Sequence, residues 1–310
     1  MSDRQIVCED LTLALEDLRR DGYRLDVIYP ADDPHSAVLT RGDSTVRLTS
    51  QPGASAPSGD LPRLVPEFVL TRGGGSGEGR AGMLYRDLIP SRLRGRYIAS
   101  HITIPEGGPV ADWVHFHRIA LQLICVRSGW VRVVYEDQGD PFTMNPGDVV
   151  LQPPGIRHRV LESSPGLEVV ELTAPALHET FADHDLGLPN PTLAPGRQFD
   201  GQRFVRHVAA ETPWTPFFGG EAQETGIRAA TGGLAEVRFI RASGPAISFP
   251  PNDAELVFGF VFEGSARLDF GEGFDLCPAD AFVIPPAGSW GLRAMTPDLR
   301  LLHVTTSRLG

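Results

Sequence analysis

Four side chains in the stretch from His115 to His158 have the types and spacing to hold a metal ion: His115, His117, Gln122 and His158. His115 and His117 are two residues apart, so on a strand both rings face the same way. Gln122 lies five residues beyond His117, room for a turn and the start of a neighbouring strand. His158 follows Pro153-Pro154-Gly155, a turn that can swing a later strand alongside. Neutral imidazoles suit Fe, Mn, Ni, Cu or Zn in the divalent state, and a side-chain oxygen can complete the set. An open coordination position would then face water or substrate. A lone His-x-His pair is commonly a surface or hydrogen-bonded feature. Here Gly129, seven residues after Gln122, and the run Gly147, Pro153, Gly155, His158 add turns at ordinary hairpin separation.

The elements that must position these residues read as short strands. From Met83 onward the segments 97–104, 121–126, 130–136, 148–152 and 167–173 alternate apolar and polar residues, and Gly and Pro punctuate them. Such spacing predicts an antiparallel sandwich or barrel. The second half repeats the first. YRDLIPSRLRGRYIASHI (85–102) lines up with QETGIRAATGGLAEVRFI (223–240), and NPGDVVLQPPGIRH (145–158) with CPADAFVIPPAGSW (277–290). Duplication explains a chain twice the size of one small barrel. On the strand 97–104, Tyr97, Ala99 and His101 share one face and Arg96, Ile98 and Ser100 the other. If the first face turns inward, Tyr97 and His101 are candidate catalytic proton donors; if not, they cover the barrel exterior. Trp113, two residues before His115, is expected to line the entrance. Arg157 and Arg159 flank His158 and should point away from it. His178, His184 and His207 fall in the less regular stretch 175–206 or just beyond it, and are expected to be solvated or structural.

Bulk properties narrow the function classes. A chain of 310 residues with 34 Gly and 27 Pro suits two strand-rich units of roughly 100–150 residues. The net charge of -11 argues against nucleic acid and anionic membrane as partners. Cys8, Cys125 and Cys277 are far apart and form no CxxC, which excludes a disulfide scaffold or a thiolate zinc knot. No basic-then-apolar leader and no membrane-length apolar run are present, so a cytoplasmic setting is expected. Residues 9–20 read as one amphipathic helix, and 23–29 and 44–49 as strands. They suggest a short α/β extension without a core of its own. The stretches 51–60 and 71–80 read as linkers; the glycines of the second lack the context of a phosphate-binding loop. The expected organisation is an extension and linker over 1–60, a metal-binding barrel over 61–178, and a linker and second barrel over 179–310.

His115, His117, Gln122 and Gly129, followed by Gly147, Pro153, Gly155 and His158, resemble the two motifs of the cupin superfamily. The first pairs His-x-His with a Glu and a later Gly; the second is G-x5-P-x-G-x2-H. The resemblance covers residues 83–303 and is closest to two-barrel (bicupin) proteins with cupin_2 conserved barrel domains. It implies an all-β fold of tandem double-stranded β-helix (cupin) barrels behind the α/β extension. It also implies one divalent metal ion, Fe(II) first among the candidates. Gln122 stands where the family has Glu, which removes a negative charge from the ligand set. Glu162 stands where it has a trailing Asn, and the Gly before His-x-His is displaced to Gly107-Gly108. In the second copy, aligning Gly264 with Gly129 puts Pro250 and Asn252 at the His-x-His positions, Val257 at Gln122 and Trp290 at His158. No chelating set survives there, so one metal per chain is expected, with an aromatic filling the lost site. The resemblance implies a metal-dependent enzyme on a small-molecule substrate. A dioxygenase acting on a chelating enol, diol or diketone leads. A cupin isomerase or lyase, and a non-enzymatic binding or sensory bicupin, are the alternatives. Exposed edge strands make a homodimer plausible.

Overall fold

Turn residues cut this chain into strands too short to bury a face alone, so each must find partners in a sheet. The computed structural model describes residues 2–53, 61–75, 77–78 and 83–309. Among them strands predominate, and no helix is long and apolar enough to cross a membrane. Much of the expected 51–60 linker and part of 71–80 lie outside the described residues.

The first barrel is made of two sheets. One contains strands His115–His117, His158–Ser163, Val131–Tyr135 and Phe142–Met144; the other contains Val149–Leu151, Leu121–Ser128, Leu167–Ala174, Ile98–Ile104 and Leu84–Asp87. Their inward faces enclose Ile102, Val126, Val133, Met144, Val150 and Val169. The second barrel repeats the plan. A sheet of Ala246–Phe249, Trp290–Arg293, Ala266–Phe270 and Glu272–Leu276 faces one built on Ala235–Ala242, Arg300–Thr306, Leu256–Glu263 and Ala281–Ile284. Its interior is Ile247, Val257, Leu268, Phe282, Ile284 and Leu292.

Gly129 and Gly264 show how closely the copies agree. Both sit in the left-handed region, at φ +74° and +71°. A Cβ would lie 3.0 Å from the Leu167 Cα in the first copy and 2.7 Å from the Leu299 Cα in the second. Only glycine meets both conditions at this turn.

The two large sheets pack on each other. Tyr97, Leu121, Leu123 and Leu172 from the first barrel and Phe239, Phe258, Phe260 and Leu302 from the second form one buried cluster. Pairing also crosses the expected boundaries. Val69–Thr71 joins the second barrel beside Ala281–Ile284, while Thr180–Ala182 and Val205–His207 join the two sheets of the first. The backbone completes each barrel's sheets with strands that precede or follow it in the chain.

The N-terminal extension is more than the fragment its sequence suggests. Helix Leu11–Arg20, capped by the Asp10 side chain accepting from the Leu13 N–H at 3.0 Å, lies over strands Arg24–Tyr29, Ser36–Arg41 and Ser44–Thr49. Leu11, Leu25, Ile28, Leu39, Val46 and Leu48 form a separate buried core. The expectation of no core missed the strands Ser2–Val7 and Ser36–Arg41, which complete the sheet. That sheet continues through Arg24–Tyr29 and Thr180–Ala182 into the strand carrying His115 and His117.

Candidate metal centre

Strand register brings the three histidines together. His115 pairs directly opposite His158, and His117 opposite Thr180 on the other side of the same strand. The ring centroids of His115 and His158 are 4.2 Å apart, and His117 lies 5.2 Å from each. One nitrogen from each ring lies within 4.8 Å of the other two.

Each ring is oriented through Nδ1. His115 Nδ1 donates to the Trp113 carbonyl at 2.9 Å and His158 Nδ1 to the Ile156 carbonyl at 3.1 Å. A carbonyl only accepts, so these Nδ1 atoms carry a proton, and Nε2 is the nitrogen left to meet a metal. His117 Nδ1 hydrogen-bonds the Thr180 hydroxyl at 3.0 Å. His158 is buried, and burial, then the neighbouring His115, holds its pKa well below the ordinary histidine value. It is therefore neutral at physiological pH. The His115 side chain retains 14% exposure, which leaves an approach from outside. The donor set fits a divalent transition metal: three imidazoles that can present Nε2, each held by a hydrogen bond at the far nitrogen.

Gln122 stands beside this cluster in a network of fixed polarity. Its Nε2 donates to Glu171 Oε1 at 3.0 Å, and its Oε1 accepts from Gln152 Nε2 at 2.9 Å. Gln152 Oε1 accepts from the Tyr135 hydroxyl at 2.5 Å. Burial raises the Tyr135 phenol well above its ordinary value, which keeps it a donor. The remaining Gln152 N–H faces His158 Nε2 at 3.4 Å. Gln122 therefore turns its oxygen toward the amide it shares with His158, with a second lone pair to offer. Gln152, Tyr135, Glu171, Thr180 and His178 do not emerge from the motif spacing. His178, expected to be solvated or structural, is buried and lies edge-on to His117 with centroids 5.4 Å apart. A signal for three of them was available in the repeat, as the second copy shows.

The structure does not bring Tyr97 and His101 to the histidines. The Tyr97 hydroxyl donates to Glu255 at 2.8 Å and meets Thr306 at 2.8 Å, both in the second barrel. His101 pairs with Glu168 at 2.8 Å and packs against Phe260. Both lie on the face turned to the other barrel, and their expected role as proton donors at the metal is corrected accordingly. Trp113 packs against the extension's core beneath Arg19 and lies edge-on to His115, with ring centroids 6.4 Å apart. Arg157 points away from the rings and pairs with Asp183 at 3.0 Å. Two surface hollows, of about 470 Å³ beside Gly226 and Arg228 and about 430 Å³ beside Asp140 and Asn190, lie away from the histidines.

In the second barrel Phe249 pairs opposite Trp290, as His115 pairs opposite His158. The sequence alignment placed Pro250 and Asn252 at the His-x-His positions; the strand register places Phe249 at the first. Proline lacks a ladder donor, and the strand ends at Phe249, before Pro250. Phe249 and Trp290 stack at 3.9 Å at the positions that His115 and His158 hold in the first copy.

No protein-family model matches the sequence, and no curated protein matches it either. Solved structures do. Lactobacillus farciminis oxalate decarboxylase in its formate complex aligns with a TM-score of 0.57 at 12% identity, over 81% of this chain and 89% of that one. Bacillus subtilis oxalate decarboxylase aligns with a TM-score of 0.55 at 12% identity, over 81% and 78%. A further structure of the B. subtilis enzyme, similar at a TM-score of 0.54 and 12% identity, concerns its Mn(II) centres. At that identity the likeness shows the fold: this chain folds as two cupin-type barrels in tandem, with the histidine cluster in the first.

Proposed function

We propose that the first barrel is the mononuclear metal centre of an enzyme acting on a small organic molecule, in a bicupin of the cupin_2 kind. The observation that carries this reading is the convergence of three imidazoles, each braced at Nδ1 by a separate oxygen. Metal-ligating histidines almost always carry such a hydrogen bond at the nitrogen away from the metal, and here three rings so braced converge. When bound, a divalent metal supplies Lewis acidity toward an oxygen-chelating substrate and, if iron, one-electron chemistry with dioxygen.

The residues supply the rest. His158 stays neutral and all three rings are held in orientation; Gln122 offers an amide oxygen in place of a carboxylate. Glu171 holds the Gln122 amide in one orientation by accepting from it. The leading reaction class is a dioxygenase with Fe(II), acting on an enol, diol or diketone. A metal-dependent lyase on a small carboxylate is the second reading, supported by the likeness to oxalate decarboxylases. An isomerase that relies on Tyr97 and His101 has lost its geometric support.

The test is anaerobic reconstitution with Fe(II) or Mn(II), followed by screening of both substrate classes. Oxygen uptake matched to loss of an enol or diketone supports the dioxygenase; carbon dioxide release under argon supports the lyase. Bound metal with neither activity across the panel counts against an enzyme.

A further inference from the structure

The hydrogen-bond directions around Gln152 leave one N–H without a strong partner. Glu171 as a carboxylate only accepts, so Gln122 must present Nε2 to it and Oε1 to Gln152. Gln152 must then present Nε2 to Gln122, which agrees with its Oε1 accepting from the Tyr135 hydroxyl. One Gln152 N–H is thus committed at 2.9 Å, and the other reaches only the His158 Nε2 lone pair at 3.4 Å, the long end of the hydrogen-bond range. A metal on His158 takes that same lone pair. The Gln152 N–H then faces the metal's neighbourhood with no protein acceptor among the bonds that hold it.

The second barrel supplies an internal comparison. Strand pairing places Val257 at Gln122, Ile284 at Gln152 and Trp290 at His158, and Asp269 opposite Gly291 puts Phe270 at Tyr135. Gln122, Gln152 and Tyr135 thus have apolar counterparts in the copy that lacks the histidine cluster, while Glu171 has a polar one, His303. Structural support for the barrel does not need these polar groups, since Ile284 and Val257 serve in the same positions and are buried.

We propose that Gln152 is a substrate-contacting residue, whose second amide N–H donates to an anionic oxygen of the ligand held at the metal. Tyr135 and Gln122 are positioning residues that hold the amide in that orientation. The ligand class is a chelating oxyanion: an enolate, catecholate, hydroxamate or carboxylate. This rests on the metal-centre reading above.

The test uses full-length protein loaded with Co(II), titrated with acetohydroxamate as the chelating probe and followed by visible absorption. Gln152→Met should hold Co(II) within about threefold of wild type yet bind acetohydroxamate about tenfold more weakly, the size of one hydrogen bond to a charged group. Tyr135→Phe keeps Gln152 but releases its amide, and should weaken the probe by about threefold. It serves if Gln152→Met does not fold, as judged by circular dichroism. Wild-type probe affinity in Gln152→Met, or in Tyr135→Phe, overturns the proposal. Loss of Co(II) itself from Gln152→Met also overturns it, because Gln152 would then support the ligands. A wild-type protein that takes up no Co(II) rejects the metal centre, a result separate from the others.

Discussion

Replacing His303 with leucine should make the protein more resistant to acid. His303 stands in the second barrel where strand pairing places Glu171 in the first, since Gly259 faces His303 as Ile124 faces Glu171. It is 3% exposed, its Nδ1 is buried without a hydrogen-bond partner, and it lies 5.3 Å from Phe249 and 5.7 Å from Trp290 between ring centroids. Burial, and then the charge of Arg238, lower its pKa from 6.5 to about 3. The folded value is depressed, so between these limits the unfolded chain binds a proton that the folded one refuses. Its contribution is intact above pH 6.5 and is lost progressively as pH falls, by about 1.4 kcal/mol per pH unit, levelling off near pH 3. At pH 5 the loss from this residue is about 2 kcal/mol. Leucine cannot titrate, and it also removes the unpartnered nitrogen, a gain of about 1 kcal/mol at neutral pH. The assay is urea unfolding of both proteins between pH 7.5 and pH 4.5. Burial also lowers His101, His158, His178 and His207, so the wild type and the variant will both weaken in acid. The difference between them carries the test. A gap that stays constant across this range would mean that His303 is not the group that takes up the proton on unfolding.

Thr180→Val removes the hydroxyl that orients His117 while keeping shape. It should weaken metal binding about 10- to 100-fold in competition with a chromophoric chelator, without altering the fold. Glu255→Gln breaks the buried pair that Arg96 makes at 2.8 Å across the two barrels and leaves a buried guanidinium uncompensated. It should cost about 3–5 kcal/mol in chemical unfolding, far more than Glu221→Gln at the more exposed Arg241 pair.

The clustering of the three histidines is legible in the sequence because two rules suffice for it. Strand parity puts His115 and His117 on one face, and the proline-glycine turn returns His158 to their strand. The rest of the site needs register. Gln152 becomes a neighbour of Gln122 only because Val149–Leu151 pairs with Leu121–Ser128, and Glu171 arrives from a strand almost fifty residues away in sequence. Tyr97 and His101 could not be placed from sequence because the strand Ile98–Ile104 is buried on both faces, one in its own barrel and one against the other. With both faces covered, alternation no longer distinguishes inside from outside. Phe249 was missed by one position because the loop after it differs in length from its counterpart, and fixed offsets fail across such loops. The extension's core is hard to read from sequence because it depends on the strand Ser36–Arg41, which follows an irregular stretch and carries only three apolar residues.

Elemental analysis after anaerobic reconstitution reads the asymmetry between the barrels. Close to one divalent metal per chain is expected, lost on His115→Ala or His158→Ala and retained in His303→Leu. Two metals per chain, or one that survives His115→Ala, would contradict that expectation.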